Sequence, residues 1–435
     1  MSNIPRTLVL CILSLCLLAG ACTSPPKPEG PNVILIMVDD FGYECVGAFG
    51  GLSYETPVLD QLAADGYLFS NCISQPLCTP SRLKIMTGLY NYRNYDFSGH
   101  LRTDQITFGN ILQEAGYETC IVGKWQLNGI QNKERFPDWN DPKRPQHFGF
   151  EEYCLYRLTV GGSRFATPSI TRNGEQVPTN DDLYGPDVFA DFIVDYIQRK
   201  KDQPFFLYYP MVLTHPPFGP TPHSEEWADP ANRFQEDTAY FKDMVAYVDH
   251  NVGRIVTALR EHGLEEHTIL IFTGDNGTPQ EIISLTDHGT IRGGKGKPTD
   301  AGTHVPLIIS WPGTIKAGSS YDGLIEFSDF FPTLAEIAGQ EVPSDGRSFY
   351  PLLIDSTYIP RETTFMHFIP KGKEGPDNYR HQFVRTKEYK LYRKGTFYHL
   401  AVDTLEQFPL PLDSLTEAQA EILRTLQVEL NRHPG

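Results

Sequence analysis

The stretch Asn32-Val-Ile-Leu-Ile-Met-Val-Asp-Asp40 decides the fold. Asn32 to Val38 is an unbroken apolar run of strand length, closed by two acids. Apolar character without alternation predicts a strand covered on both faces, as in a parallel sheet flanked by helices. Outward from it, helix-like and strand-like segments alternate. "TPVLDQLAAD", with Pro57 where a first helical turn tolerates proline, precedes the strand-like "GYLFSNC". "TFGNILQEAG" precedes "YETCIVG", and "GPDVFADFIVDYIQRKK" precedes "PFFLYYPMVL". The longest predicted helix, Asp237 to His262, stops at Gly263 and leads into "TILIFTG". Repeated βα units of this length predict an α/β fold, a mostly parallel sheet with helices on both faces.

After "VPLIISWPG" and the helix-like "FSDFFPTLAEIAG" the texture changes. From about Arg361 the segments are short, strand-like and punctuated by turns, as in "QFVRTKEYKLYRKGTFYHL". They predict a smaller C-terminal antiparallel sheet with a closing helix, Ser414 to Arg432. The Pro-, Gly- and Asp-rich stretch from Asn128 to Gly185 reads as loops on the substrate side. The expected organisation is a leader over 1–21, a tether over 22–30, a catalytic domain over 31–358 and a C-terminal subdomain over 359–435.

The leader is an address. Arg6 precedes an apolar run, Thr7 to Ala21, too short to span a bilayer and typical of a signal peptide. Ala19-Gly20-Ala21 suits a signal peptidase cut, and the next residue is Cys22. A cysteine after small residues resembles a bacterial lipobox, although Ala19 stands where Leu is usual. Lipidation of Cys22 would anchor the chain to a membrane, with "TSPPKPEG" as a semi-rigid tether. The expected location is periplasmic or outer-membrane, or secreted and soluble if the cut leaves no lipid. Without the leader and Cys22, five of eight cysteines remain, with no CxxC or zinc-type Cys/His spacing.

The 435 residues carry 37 Lys and Arg against 54 Asp and Glu, a formal net charge of −17. That excludes nucleic acid as a partner, which needs a basic face. An anionic substrate can be held only where local cations outvote the global field. Asp39-Asp40 and Asp275-Asn276 each follow a predicted strand, and ligand sites of open parallel sheets lie beyond the strands' carboxyl ends. Four side-chain oxygens without His or Cys suit a hard cation, Ca²⁺ or less readily Mg²⁺. Taken singly, the same residues suit a helix cap or a turn. Arg82, Lys124, His215 and Lys295 are the cations that could turn this crevice into an anion trap.

Cys78, in "SQPLCTPSRLKIMTGLY" (Ser74 to Tyr90), opens a helix-like segment whose free N–H groups favour negative charge. It reads as a buried thiol, half of a disulfide with Cys72, a thiolate nucleophile, or a modified residue. "CTPSR" resembles the signature of type I sulfatases, in which Cys-X-Pro-Ser-Arg directs oxidation of the cysteine to formylglycine. The other motifs of that family follow in order: Asp39-Asp40, "TGLY", "GKW", "THPPF", "DNG", and "GGKG" ahead of "TDAGTHVPLIISWPG". The tail also resembles the family's C-terminal region, so the resemblance covers nearly all of the chain beyond the leader.

That resemblance implies an alkaline-phosphatase-like fold and hydrolysis of a sulfated small molecule or carbohydrate. It implies Ca²⁺ held by Asp39, Asp40, Asp275 and Asn276 and touched by the modified Cys78. One hydroxyl of the hydrated aldehyde would attack sulfur, and the other would later expel sulfate. Asp275 would activate the attacking hydroxyl, Arg82 and Lys124 would hold sulfate oxygens, and Lys295 and His215 would sit at the bridging oxygen, with His215 the better acid for the leaving alcohol. A separate maturation enzyme must oxidise Cys78. The chain departs from the family at "GKWQL", where Gln126 stands in place of histidine and cannot take a proton. His288 is the candidate replacement, and Lys297 a candidate contact for an acidic substrate. The alternatives are a phosphodiester or phosphonate ester hydrolase of the same superfamily, and a lipoprotein that binds sulfated glycans without cleaving them.

Overall fold

The computed structural model describes residues 30–369 and 381–434. Strand β1 (Asn32–Val38) is buried throughout, and its alternate side chains feed two cores. Ile34, Ile36 and Val38 share one core with Phe192 and Ile193 of the helix Gly185–Lys200 and with Val245 and Val248 of the helix Phe241–Glu261. Val33, Leu35 and Met37 share the other with Leu83 and Ile85 of the helix Cys78–Thr87, here called α1, and with Phe330 and Leu334 of the helix Phe330–Ile337. Burial of each such side chain contributes about 1.5–3 kcal/mol. A strand with cores on both sides has no room for polar alternation, which is why the run is continuous.

The strands that follow are β2 (Tyr67–Ile73), β3 (Glu118–Lys124), β4 (Glu152–Tyr156), β5 (Ile170–Arg172), β6 (Glu175–Gln176), β7 (Phe205–Pro210) and β8 (Thr268–Gly274). After them come β9 (Ile283–Thr286), β10 (Gly289–Arg292), β11 (His304–Val305), β12 (Leu307–Ser310) and β13 (Ser319–Glu326). The last group is β14 (Thr364–Phe368), β15 (His381–Arg385), β16 (Tyr389–Tyr392) and β17 (Phe397–His399). The large sheet has 11 strands in the order β11-β2-β12-β8-β1-β7-β3-β4-β5-β6, with β13 beside β2. Its centre, β8-β1-β7-β3-β4, is parallel. Antiparallel pairs flank that centre on both sides. β14 to β17 form a separate antiparallel sheet. Leu426 and Leu430 of the helix Glu417–Asn431 close it by packing with Phe365, Val384 and Leu391. The α/β class and the small closing sheet match the expectation.

Several elements differ from the expectation. The 128–185 stretch is not all loop: β4 within it is a buried strand paired in parallel with β3. Five residues, "EYCLY", are too few to stand out among the surrounding Gly and Pro. β13 also went unread, because "SSYDGLIE" begins with polar residues and carries a register shift between Tyr321 and Leu324. The leader, Cys22 and the tether up to Glu29 lie outside the described residues.

The small sheet is fused to the large one. Met366, Phe368 and Phe383 belong to the core that also holds Leu35. A buried charge network spans the junction. Lys84 of α1 donates to Glu326 at 2.7 Å, Arg361 lies 2.8 Å from the same carboxylate, and the Tyr90 hydroxyl donates to it at 3.1 Å. Arg361 also pairs with Asp329. Removing one member leaves an unmatched charge among fully buried neighbours. We therefore expect Lys84→Met to cost about 3–5 kcal/mol of stability. A denaturant midpoint equal to that of the parent protein would show that the network does not hold α1.

Candidate active site

The register of the sheet assembles the site. β1 and β8 run parallel with Val38 opposite Gly274, so Asp39-Asp40 and Asp275-Asn276 leave the sheet side by side. The Asp275 N–H donates to the Val38 carbonyl at 2.8 Å, and the Asp40 N–H donates to Asp275 Oδ1 at 2.9 Å. Asn276 Nδ2 donates to Asp40 Oδ1 at 2.9 Å. A Cβ on Gly274 would lie 2.0 Å from the Phe41 carbonyl oxygen, so the close approach of the two strand ends requires glycine there. On the other side of β1, the Thr214 N–H donates to the Asp39 carbonyl at 2.7 Å and brings His215 to the same edge. β3 ends on Lys124 itself.

Cys78 is the first residue of α1. Leu77 before it supplies no side-chain cap, which leaves the first-turn N–H groups without that partner. The turn is fixed by its neighbours. Ser81 Oγ accepts from the Gln75 N–H at 3.1 Å, and Asn91 Nδ2 donates to the Pro80 carbonyl at 2.9 Å. The ligand atoms of Asp39, Cys78 and Asp275 lie within 4.8 Å of one another. Burial raises the Cys78 thiol, and Asp39 and Asp275 add to that against the opposing Lys124. This is not the setting of a resting thiolate. The disulfide with Cys72 does not form: Cys45, Cys72, Cys78, Cys120 and Cys154 are all free.

Cations surround the acids. Lys124 Nζ donates to Asp39 Oδ1 at 2.7 Å and Oδ2 at 2.6 Å. Arg82 donates to Asp275 Oδ2 from Nε at 3.2 Å and from Nη2 at 3.1 Å, and from Nη1 to the Lys124 carbonyl at 3.0 Å. Lys295 pairs with Asp40, and His215 Nε2 stands 4.0 Å from Asp40 Oδ2. Burial alone would raise Asp39, but Lys124, His215 and Arg82 overcome it and hold this carboxylate well below its usual range. Burial and the charge of Asp39 push Asp275 up to about 7, against the pull of Arg82 and Lys124. Burial lowers His215 to about 4 although Asp39 and Asp40 oppose it. Burial works against the Lys295 ammonium, yet Asp40 and Asp39 raise its pKa above the usual lysine range. At neutral pH the ligand-free crevice therefore holds a neutral imidazole and a charged ammonium.

The donor set fits a hard cation. Asp39, Asp40 and Asp275 are fully buried, and the Oδ1 of Asn276 is a buried oxygen with no hydrogen-bond partner. An unpartnered amide oxygen beside three carboxylates is what an oxygen-seeking divalent cation requires.

Two predicted residues, His288 and Lys297, are exposed and stand apart from this cluster. His288 sits in the turn between β9 and β10 with its side chain 92% exposed, 3.6 Å from Asp287. Such a position does not serve a proton transfer in a buried crevice. Lys297 is exposed in the loop after Lys295. Gln126 is half-buried and in the left-handed region, with φ 48°. One residue was missed. Arg164, only 8% exposed, reaches Asp39 Oδ2 at 3.4 Å from within the 128–185 stretch. A lone arginine between Gly162 and Phe165 carries no motif that would single it out.

Comparison with known proteins places these residues in a family. Residues 31–340 match the Sulfatase family profile, and residues 299–432 match the profile "N-sulphoglucosamine sulphohydrolase, C-terminal". The chain is 32% identical to Arylsulfatase A of Homo sapiens over 89% of its own length and 78% of that protein. It is 26% identical to N-acetylglucosamine-6-O-sulfatase of Bacteroides thetaiotaomicron, over 95% of this chain and 86% of the relative. Its fold is similar, with a TM-score of 0.71 and 23% identity, to a solved protein in complex with its substrate D-glucosamine-2-N,6-O-disulfate. That superposition covers 93% of this chain and 97% of the other.

The raised Asp275 makes a pH prediction for metal-free protein. Between its ordinary 3.8 and about 7 the folded chain keeps a proton on Asp275 that the unfolded chain has released. Stability from this group is thus full below the lower value and lost as pH rises through the upper one. Asp39 acts with the opposite sign and only at lower pH, because its value falls on folding. With chelator present, we expect Asp275→Asn to remove a decline in melting temperature across that window. Parallel curves for parent and variant would refute the assignment.

Proposed function

We propose, from the premise that this chain belongs to the sulfatase family and hydrolyses sulfate esters, that it releases inorganic sulfate from a sulfated carbohydrate with formylglycine at position 78 and Ca²⁺ as its cofactors. The net reaction converts R–O–SO₃⁻ and water to R–OH, SO₄²⁻ and a proton. The observation that carries the reading is the convergence of Asp39, Cys78 and Asp275 within 4.8 Å at the head of α1, ringed by Arg82, Lys124 and Lys295. A sugar substrate is supported by the relative named for N-acetylglucosamine-6-O-sulfate and by the solved neighbour holding a glucosamine disulfate.

Asp39, Asp40, Asp275 and Asn276 are the residues that would hold Ca²⁺, which when bound polarises the sulfuryl group as a Lewis acid. Formylglycine supplies an oxygen nucleophile that an ordinary cysteine lacks. This chain's own residues do the rest. Lys124 and Arg82 offer N–H donors for sulfuryl oxygens in a water-poor pocket, where such bonds are strong. Asp275 would take the proton of the attacking group. Lys295, and not His215 as expected from the resemblance, would carry the proton for the leaving oxygen, since burial lowers His215 to about 4 while Asp40 keeps Lys295 charged. Export through the leader and anchoring by a lipid on Cys22 complete the reading, supported by the Ala-Gly-Ala-Cys sequence.

The test is the mass of the Cys78 peptide from protein made in a host with an active maturation enzyme. Oxidation to the aldehyde should remove about 18 Da and create the covalent nucleophile. Cys78→Ala should lose turnover by at least about 10³-fold with the fold intact, and chelation should abolish sulfate release until Ca²⁺ is restored. An unmodified, fully active protein would overturn the formylglycine reading. Faster cleavage of matched phosphate esters than of sulfate esters would overturn the substrate class.

A further inference from the structure

The Arg164 guanidinium shares its carboxylate partner with another cation. Its Nη1 lies 3.4 Å from Asp39 Oδ2, an oxygen that Lys124 already holds at 2.6 Å. The other oxygen of Asp39 is held by Lys124 at 2.7 Å and lies 3.8 Å from Arg82 Nη2. Arg82, Lys124, Arg164 and Lys295 thus set four cations against three carboxylates, Asp39, Asp40 and Asp275. Burial of charge is costly unless it is matched. The surplus is positive and grows once the carboxylates hold the Ca²⁺ of the reading above, so the group that completes the site beyond the metal is an anion.

Arg164 is also held in place. Its guanidinium lies 5.2 Å from the centroid of the Tyr156 ring, and the Tyr156 hydroxyl donates to the Gly162 carbonyl at 3.1 Å. The Phe165 carbonyl accepts from the Gly185 N–H at 2.9 Å, and a Cβ on Gly185 would come within 2.0 Å of the Arg164 carbonyl oxygen. The loop is therefore packed directly on the start of the helix Gly185–Lys200. A guanidinium fixed over an aromatic ring presents its N–H fork without further loss of side-chain freedom, the geometry that suits tetrahedral oxyanions.

We propose that Arg164 is a substrate-binding residue that donates to a sulfuryl oxygen of the ester and then of the released sulfate. The identity of the anion rests on the sulfatase reading above. The experiment uses the full chain with Cys78 converted, as parent, Arg164→Met and Arg164→Lys. Inorganic sulfate is the probe, followed both by calorimetric binding and by competitive inhibition of aryl sulfate hydrolysis. Loss of one charge-assisted donor should weaken sulfate binding by roughly 10- to 100-fold in the methionine variant. Lysine should restore part of it, with the melting temperature and the Cys78 conversion unchanged in both. Equal sulfate affinity in parent and methionine variant would overturn the proposal. So would a loss that lysine does not rescue and that follows a fall in melting temperature, since that marks a structural ion pair. Calorimetry needs no turnover, so a parent that binds sulfate but cleaves no sulfate ester would sink the sulfatase reading and still decide the role of Arg164.

Discussion

The in-register pairing of β1 with β8 places two acidic dipeptides at one edge of the sheet, and the rest of the site answers that placement. Three carboxylates buried together repel one another and lose their hydration. Without compensation they would protonate or unfold the strand ends. Asp39 and Asp275 show the two outcomes side by side. Asp39, gripped at both oxygens by Lys124, stays ionised, whereas Asp275 takes the repulsion and rises to about 7. Without metal, one carboxylate is thus held well below its usual range while burial and that neighbouring charge raise the other. Separation of pKa values between adjacent acids is the pattern that acid–base chemistry uses.

The C-terminal sheet belongs to this arrangement and is not an appendage. The loop bearing Lys295 is tied to it: Lys390 donates to the Pro298 carbonyl and Arg385 pairs with Asp300. The same loop reaches back toward α1, where the Gly296 N–H donates to the Pro76 carbonyl at 2.7 Å, just ahead of Cys78. Lys84 and Glu326 fix the other end of α1. The head of that helix is therefore located from both sheets, and a shift of the small sheet would move Cys78 and Lys295 relative to Asp39. Catalytic geometry of this kind depends on support well outside the reacting atoms.

Much of this was legible in the chain. The unbroken apolar run of β1 and the repeated βα units specify a sheet buried on both faces, and acids after two such strands must meet if the strands are neighbours. What sequence could not supply was which strands are neighbours. Strand order is a tertiary property, and β8 reaches β1 from more than 200 residues away. The short β4 and the irregular β13 were hidden because their burial comes from packing and not from pattern. His288 looked close to Lys295 in sequence, but the β9–β10 turn carries its ring into solvent. Arg164 was hidden for the converse reason: its approach to Asp39 depends on the loop packed on Gly185, which no local motif encodes.

The acidity of the chain and the anionic character of its substrate class are reconciled by scale. The formal charge of −17 is spread over the whole chain, and exposed charges farther apart than about 10 Å are screened in ordinary salt. Inside the crevice, Arg82, Lys124 and Arg164 are nearly or fully enclosed, and screening there is weak. A sulfate ester that reaches the strand ends meets enclosed cations that screening weakens little. Selectivity then rests on whether the incoming group can satisfy donors fixed on β3, α1 and the Arg164 loop together. A tetrahedral oxyanion with three free oxygens can do so, whereas a planar carboxylate offers only two.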